Sequence, residues 1–266
     1  MTAPTSMEPL ITLTTDFGAR DPYVAAMKGV LLARCPSARV LDLTHEIAPQ
    51  DVVEGALFLA AAVPYFPEGT IHLAVIDPGV GGARRGIVAR VAGQVVVCPD
   101  NGLLGALALT HPLAEVHEIA APRFMRDEVS ATFHGRDVFA PAAARIATGV
   151  ALADAGPSVA DPVLLDLPAP ERMRDGTVVA RVIHLDRFGN AITNLAAGAI
   201  PAGARVVVRG EPVPLARTYG DVAAGAPLAV VGSAGLLEVA VNQGSAAHRF
   251  GLARGDEVRV APASAG

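Results

Sequence analysis

Four short stretches of this sequence hold side chains that could move a proton. Thr15-Asp16-Phe17-Gly18, Asp77-Pro78-Gly79-Val80-Gly81 and Pro99-Asp100-Asn101-Gly102 each follow an apolar, β-branched run. A carboxylate at the end of a strand either closes a turn or is presented to a ligand, and residue type alone leaves both open. The fourth stretch, Thr132-Phe133-His134-Gly135-Arg136-Asp137, sets a histidine just before an expected helix, where the helix start disfavours an imidazolium. Arg84 follows closely on the Asp77 turn and stays charged at any working pH. Together these groups suit acid–base chemistry: Asp77 or His134 to accept a proton, and Arg84 to favour a developing anion or orient the carboxylate. Which of the two accepts the proton is open at this point.

Other chemistries find less support. Gly79, Gly81 and Gly82 form neither a phosphate loop nor a dinucleotide fingerprint, since no Gly-Lys-Ser/Thr follows. Asp16-Phe17-Gly18 lacks the companion motifs of a kinase, and no Gly-x-Ser-x-Gly marks a serine nucleophile. The histidines form no metal-ligand spacing, so no metal is expected. Cys35 and Cys98 stand far apart and read as buried thiols.

The elements that must position these groups alternate. Strands are expected over Leu10–Thr14, Arg39–Leu43 and Thr70–Ile76, with helices over Tyr23–Arg34 and Asp51–Ala62, the latter capped by Asp51. Gly86–Arg90 and Gln94–Cys98 read as a hairpin about Ala92-Gly93. Further helices are expected from Asn101-Gly102 to about Thr110 and over Asp137–Thr148. This alternation predicts an α/β fold: an N-terminal three-layer α/β domain, residues 8–165, with a largely parallel sheet. Asp16, Asp77 and Asp100-Asn101 would then share one sheet edge, where ligands of such sheets bind.

A proline-bearing linker is expected over Gly156–Arg174. Short, closely spaced strands follow at Val178–Leu185, Ala191–Leu195, Arg205–Arg209, Pro227–Val231, Leu236–Val241 and Glu257–Ala261, predicting a smaller C-terminal domain over 175–262 that is a β-barrel or a sandwich. Asp186-Arg187-Phe188-Gly189-Asn190 reads in isolation as the turn between the first two of them.

Composition bounds the rest. With 52% apolar and 18% charged residues among 266, the chain can build a large core, chiefly of Val, Leu, Ile and Ala. A net charge of -5 with Lys28 as the sole lysine argues against nucleic-acid or membrane-surface binding. The longest apolar run, Ala56–Val63, is too short to span a bilayer, and Met1–Pro9 does not read as a signal peptide. The cytoplasm is the expected compartment.

In this order the motifs resemble the S-adenosyl-L-methionine (SAM) hydroxide adenosyltransferases, adenosine-forming SAM hydrolases related to the SAM-dependent fluorinase and chlorinase. The resemblance rests on the four stretches above together with Asp186-Arg187-Phe188-Gly189-Asn190 and Leu237-Glu238-Val239-Ala240-Val241-Asn242, and covers about residues 10 to 261. It implies an N-terminal α/β domain, a C-terminal β-barrel and a homotrimer whose active sites lie between the N-terminal domain of one subunit and the C-terminal domain of the next. It implies attack of a water-derived nucleophile on C5′ of SAM, giving adenosine and L-methionine, with SAM as substrate and no cofactor. The family's catalytic Asp-Arg-His set maps onto Asp77, Arg84 and His134, Arg84 being chosen over Arg85 by its family spacing. Its substrate-binding positions map onto Asp16 for the ribose hydroxyls, Asp186, Phe188 and Asn190 for the methionine part and the base, Ser233 near the carboxylate, and Glu238 and Asn242.

The sequence departs from the fluorinase in ways that bear on the reaction. Asp77 stands where the fluorinase has Tyr, Gly135 where its halide loop has Ser, Gln50 at the position of a Trp, and Ala234 where an Arg follows the carboxylate-binding Ser. A carboxylate at Asp77 repels halide and suits water. The rival readings are a SAM-dependent halogenase and a non-catalytic nucleoside or SAM-binding protein.

Overall fold

The run Ile71–Val75 is buried at every position, as a parallel strand covered on both faces must be. Its side chains leave alternately to either side. Leu73 and Val75 join one apolar cluster with Ile11, Leu13, Met27, Leu31 and Phe139. Ala74, with Ile76 just beyond the strand, joins another with Leu59, Leu103 and Leu107. The structure is a computed structural model that describes residues 8–165 and 167–263. The chain divides into two compact units, Met1–Asp166 and Leu167–Gly266.

Unit 1 runs β1 (Leu10–Thr15), α1 (Tyr23–Arg34), β2 (Arg39–Thr44), α2 (Val52–Ala62), β3 (Ile71–Val75), β4 (Gly86–Val91), β5 (Gln94–Pro99), α3 (Gly105–Ala108), β6 (Leu113–Glu118) and α4 (Ala140–Ala147). The strands form one sheet in the order β2-β1-β3-β5-β4-β6. β2, β1, β3 and β5 are parallel, and β4 is antiparallel to both β5 and β6. The sheet is therefore mixed, with β4 alone reversed. Residues of α1 and α4 pack into the cluster of Leu73, and those of α2 and α3 into that of Ala74. Asp51 caps α2 by accepting the Glu54 N–H at 2.9 Å.

Register sets the edge that matters. Thr15 pairs with Val75, and Leu73 pairs with Val97. Carried beyond the strands, these registers put Asp16 opposite Ile76 and Asp77 opposite Asn101. The polar groups after β1, β3 and β5 thus share one sheet edge.

The elements depart from the expected ones in three places. The helix expected to run from Asn101-Gly102 to Thr110 is the single short turn α3, Gly105–Ala108. The helix expected over Asp137–Thr148 is present but starts earlier, with the π-helical turn Gly135–Phe139 running directly into α4. β6 was not anticipated: it is an outer strand carrying Glu115, His117 and Glu118, so it lacks the apolar run that marks the inner strands.

Unit 2 runs β7 (Glu171–Arg172), β8 (Val178–Leu185), β9 (Ala191–Ala196), β10 (Arg205–Val208), β11 (Glu211–Val213), β12 (Pro227–Val231), β13 (Leu236–Val241), α5 (Ala246–Phe250) and β14 (Glu257–Ala261). Every strand pairing is antiparallel, in the order β11-β10-β14-β8-β9-β13-β12, with β7 on β8. Leu215, just after β11, bridges to Ala229 of β12 and draws the two ends of the sheet together. The result is barrel-like, filled by Val178, Val182, Leu195, Val206, Leu237 and Val258. Among the described residues no helix is long and apolar enough to cross a membrane.

Candidate active site

In unit 1 the chain leaves β3 through buried Ile76 and turns at once into Asp77. The Asn101 side-chain amide donates to the Ile76 carbonyl at 2.9 Å and fixes the backbone just before the turn. Arg84 grips Asp77 bidentately: Nε donates to Oδ1 at 2.8 Å, and a terminal nitrogen donates to Oδ2. The pair is largely removed from solvent, the side chains being 12% and 5% exposed. The Arg84 guanidinium also lies over the Phe139 ring, 5.2 Å from its centroid.

The terminal nitrogen that holds Asp77 also lies 2.8 Å from His134 Nδ1. A guanidinium has donors only, so His134 Nδ1 accepts. The imidazole is then neutral, with its proton on Nε2. Burial, then the charge of Arg84, lowers the His134 pKa, against the opposing pull of Asp77 and Asp137. Burial and Arg84 are thus the causes of the neutral form expected from the sequence. One guanidinium therefore orders both partners, leaving Asp77 with lone pairs and His134 with an N–H that have no side-chain partner among the described residues.

His134 is presented by an irregular turn. The Ala140 N–H reaches back to the Gly135 carbonyl, closing a π-helical turn over Gly135–Phe139. Asp137 anchors it. Its buried carboxylate accepts from Arg136 at 2.7 and 2.8 Å, from Arg126 at 2.9 Å and from the Ser130 N–H at 3.0 Å. Burial opposes the ionised form, but these donors outweigh it and hold the pKa at about 2. Asp137 thereby ties down the segment between Arg126 and His134. That segment seats on the Asp77 turn through Gly81, whose backbone is left-handed at φ +74 and where a Cβ would fall 2.1 Å from the Ala131 carbonyl oxygen. No side chain fits there.

The neighbouring arginine has other work. Arg85 donates to Asp100 Oδ2 at 2.8 Å and to Asp161 Oδ1 at 2.9 Å. Asp100 also accepts the Val163 N–H at 2.7 Å, so this strand-end carboxylate braces the fold. Asp16, after β1, accepts the Gln50 N–H at 2.8 Å, with Gln50 in the left-handed region at φ 67. Gln50 thus meets Asp16 through its backbone. Phe17 and Phe133, flanking Asp16 and His134, stack edge to face with Tyr23, and their own centroids lie 6.1 Å apart. The loop after β1 and the segment before His134 are so joined.

Unit 2 carries a cleft of about 1000 Å³. Asp186, Phe188, Asn190, Ser233, Glu238 and Asn242, the six C-terminal positions singled out from the sequence, all line it. Asp186 is also the turn former that its local sequence predicts: it accepts the Phe188 and Asn190 N–H groups at 2.9 and 2.8 Å and the Asn190 side-chain amide at 2.9 Å. Phe188 is 75% exposed at the rim, a free aromatic face. Asn242 donates to the Val222 carbonyl at 2.8 Å. Glu238 is buried and accepts the Tyr219 hydroxyl at 3.3 Å; burial raises its pKa, Tyr219 opposes, and Asp186 adds to the rise. Its carboxylate rests on Gly232, where a Cβ would lie 1.7 Å from Oε1. Arg217 and Tyr219 also line the cleft and were not singled out from the sequence. Both lie between strands, away from any recognisable motif.

Comparison with known proteins bears on both units. Residues 11–156 match the model of the SAM hydroxide adenosyltransferase N-terminal domain, and residues 180–259 that of the C-terminal domain. The chain is 47% identical over 259 residues to a protein of Salinispora arenicola named (R)-S-adenosyl-L-methionine hydrolase, covering 95% of this chain and 97% of that one. A fluorinase of Nocardia brasiliensis is more distant, 29% identical over 98% of this chain and 99% of its own. Among solved structures, an uncharacterised conserved protein from Thermotoga maritima superposes with a TM-score of 0.85 at 34% identity, covering 94% of this chain and 99% of that one.

Proposed function

The chain belongs to the SAM hydroxide adenosyltransferase family, and from that premise we propose that it hydrolyses S-adenosyl-L-methionine to adenosine and L-methionine. The observation that carries the reading is the Asp77–Arg84–His134 set, one guanidinium ordering a carboxylate and a neutral imidazole at the end of β3.

The sulfonium is already a good leaving group and departs as a neutral thioether, so no general acid is needed. The nucleophile is the difficulty. In our reading water lies against Asp77, which takes its proton as the oxygen attacks C5′. The C5′–sulfur bond breaks, its electron pair stays on sulfur, and the proton then passes from Asp77 to solvent. His134 cannot take that proton while its Nδ1 lone pair faces Arg84. Its Nε2–H holds the attacking oxygen by donation. Arg84 offsets the negative charge that Asp77 and the oxygen share. Asp16, with one oxygen engaged by Gln50, keeps the other for the ribose hydroxyls. The cleft of unit 2 takes the base and the methionine part.

The curated relative is named for the (R) form. The L descriptor already fixes the α-carbon, so (R) denotes the sulfonium sulfur. We assign this chain the same epimer. The same reading extends to a homotrimer in which the Asp77 set of one subunit is completed by the cleft of a neighbour, to cofactor-free turnover in the cytoplasm, and to a three-layer unit 1, which the two clusters on opposite faces of its sheet support.

Chromatography of products from the separated SAM epimers tests this. The expected result is adenosine and methionine from the (R) epimer, unchanged by a chelator and by chloride or fluoride. A 5′-halo-adenosine product would mark a halogenase, and tight adenosine binding without turnover a sensor.

A further inference from the structure

The methionine end of the substrate assigned above carries two opposite charges, an α-ammonium and an α-carboxylate. The cleft of unit 2 has acceptors for the first. Asp186 spends its oxygens on its own turn, but Glu238 Oε1 receives no hydrogen bond among the described residues. For the second, Ser233 is a neutral donor, and Ala234 after it offers nothing more. Among the described residues, Arg217 is the only positively charged one lining the cleft.

Its backbone is held in place. Asp221 Oδ2 accepts the N–H groups of Arg217 and Thr218 at 2.9 and 3.0 Å, and Thr218 and Asp221 close a capping box about the short turn Tyr219–Asp221. That same turn carries Tyr219 to Glu238. The carboxylate nearest in sequence is thus committed to backbone donors. The Arg217 guanidinium makes no hydrogen bond or close ion pair among the described residues. It acts on Asp221 only through its charge, which adds to the backbone N–H groups of Thr218 and Arg217 in holding that carboxylate below its ordinary pKa. A guanidinium left unpaired on a pinned backbone, facing a cleft whose other charges are acidic, is suited to a carboxylate brought by the ligand.

We propose that Arg217, with Ser233, binds the α-carboxylate of the substrate and makes the cleft selective for an α-amino acid over the corresponding amine. The assignment rests on the hydrolase reading and adds to it a specificity residue. Arg217 is exposed, so its effect is that of a solvent-screened ion pair and falls on binding, leaving the bond-breaking step alone.

The test compares the (R) epimers of SAM and of decarboxylated SAM, which differ only in the carboxylate, on wild type, Arg217→Ala and Arg217→Lys. Wild type is expected to favour SAM by about tenfold or more in kcat/KM. Arg217→Ala should raise KM for SAM about tenfold, leave kcat within about threefold, and bring the preference close to unity. Arg217→Lys should restore part of it, and adenosine affinity should not move. Retention of the wild-type preference in Arg217→Ala, or an equal loss on both substrates, overturns the assignment. If wild type turns over neither compound, the hydrolase reading falls. Calorimetric binding of the two compounds then becomes the readout, with the same collapse of preference expected and its persistence again decisive against Arg217.

Discussion

The two units treat their polar groups in opposite ways. In unit 1 the reactive side chains are already partnered: Arg84 satisfies Asp77 and His134 at once, and Asp137 is saturated by four donors. In unit 2 the cleft leaves the Arg217 guanidinium and Glu238 Oε1 without hydrogen bonds among the described residues. A preorganised set loses nothing to rearrangement when charge develops. Open groups gain their partners from the ligand. On the proposed hydrolase reading, the difference puts the bond-making step at the Asp77 set and recognition of the methionine end in the cleft of unit 2, and it predicts that substitutions in that set lower kcat while those in the cleft raise KM.

The strongest challenge to this division is Asp77→Asn, which keeps the shape and removes the proton acceptor. Turnover should fall by about a thousandfold or more, with adenosine affinity held within about threefold. Equal losses of turnover and binding, measured by single-turnover kinetics and calorimetry, would erase the distinction. Gly81→Ala probes the same set through its scaffold. The added Cβ collides with the Ala131 carbonyl, shifts the segment that carries His134, and should lower kcat about ten- to a hundredfold with a far smaller change in KM. In unit 2 the corresponding change, Gly232→Ala, displaces the Glu238 carboxylate and should raise KM about three- to tenfold while kcat stays near wild type.

Acid sharpens the contrast in stability. The Asp137 pKa is held at about 2, below its ordinary 3.8, so the stability from its ionised form is complete above about pH 4 and is lost as pH falls through 2. His72 acts earlier. It is buried in β3, with Gln94 donating through Nε2 to the Val63 and Phe66 carbonyls and therefore accepting from the imidazole. That leaves His72 Nδ1 to accept from Thr12 at 2.8 Å, and the ring is neutral. Burial lowers its pKa against the raising effect of the Gln94 bond, so stability is full above about pH 6.5 and declines as pH drops below it. Thermal midpoints should show this decline in wild type, and it should be smaller in His72→Gln, which carries no charge at any pH and leaves only the like contribution of His134. A midpoint that falls equally in both would assign the step elsewhere.

Much of the scaffold was legible because inner strands and amphipathic segments advertise themselves. β3 is an unbroken apolar run, α1 spans Tyr23–Arg34 as its periodicity predicts, and Asp51 caps α2 as its position suggests. β6 was not legible, since an outer strand bearing Glu115, His117 and Glu118 has no apolar run to betray it. The meeting of Asp77, Arg84 and His134 could be suspected from motifs, but the tautomer of His134 could not, because it follows from a contact across 50 positions. Asp137 reads locally as an acidic residue in a first helical turn; its role comes from Arg126 and Ser130, brought back by the chain's path. Arg217 belongs to no motif, and only the folded cleft sets it beside Glu238 and Ser233.

The central claim is that water, deprotonated at Asp77, attacks C5′. Turnover of the (R) epimer of SAM in oxygen-18 water reads it directly by mass spectrometry of the products. The account predicts one labelled oxygen in the 5′-hydroxyl of adenosine and none in methionine. Unlabelled adenosine, or products cleaved at any bond other than C5′–sulfur, would contradict it.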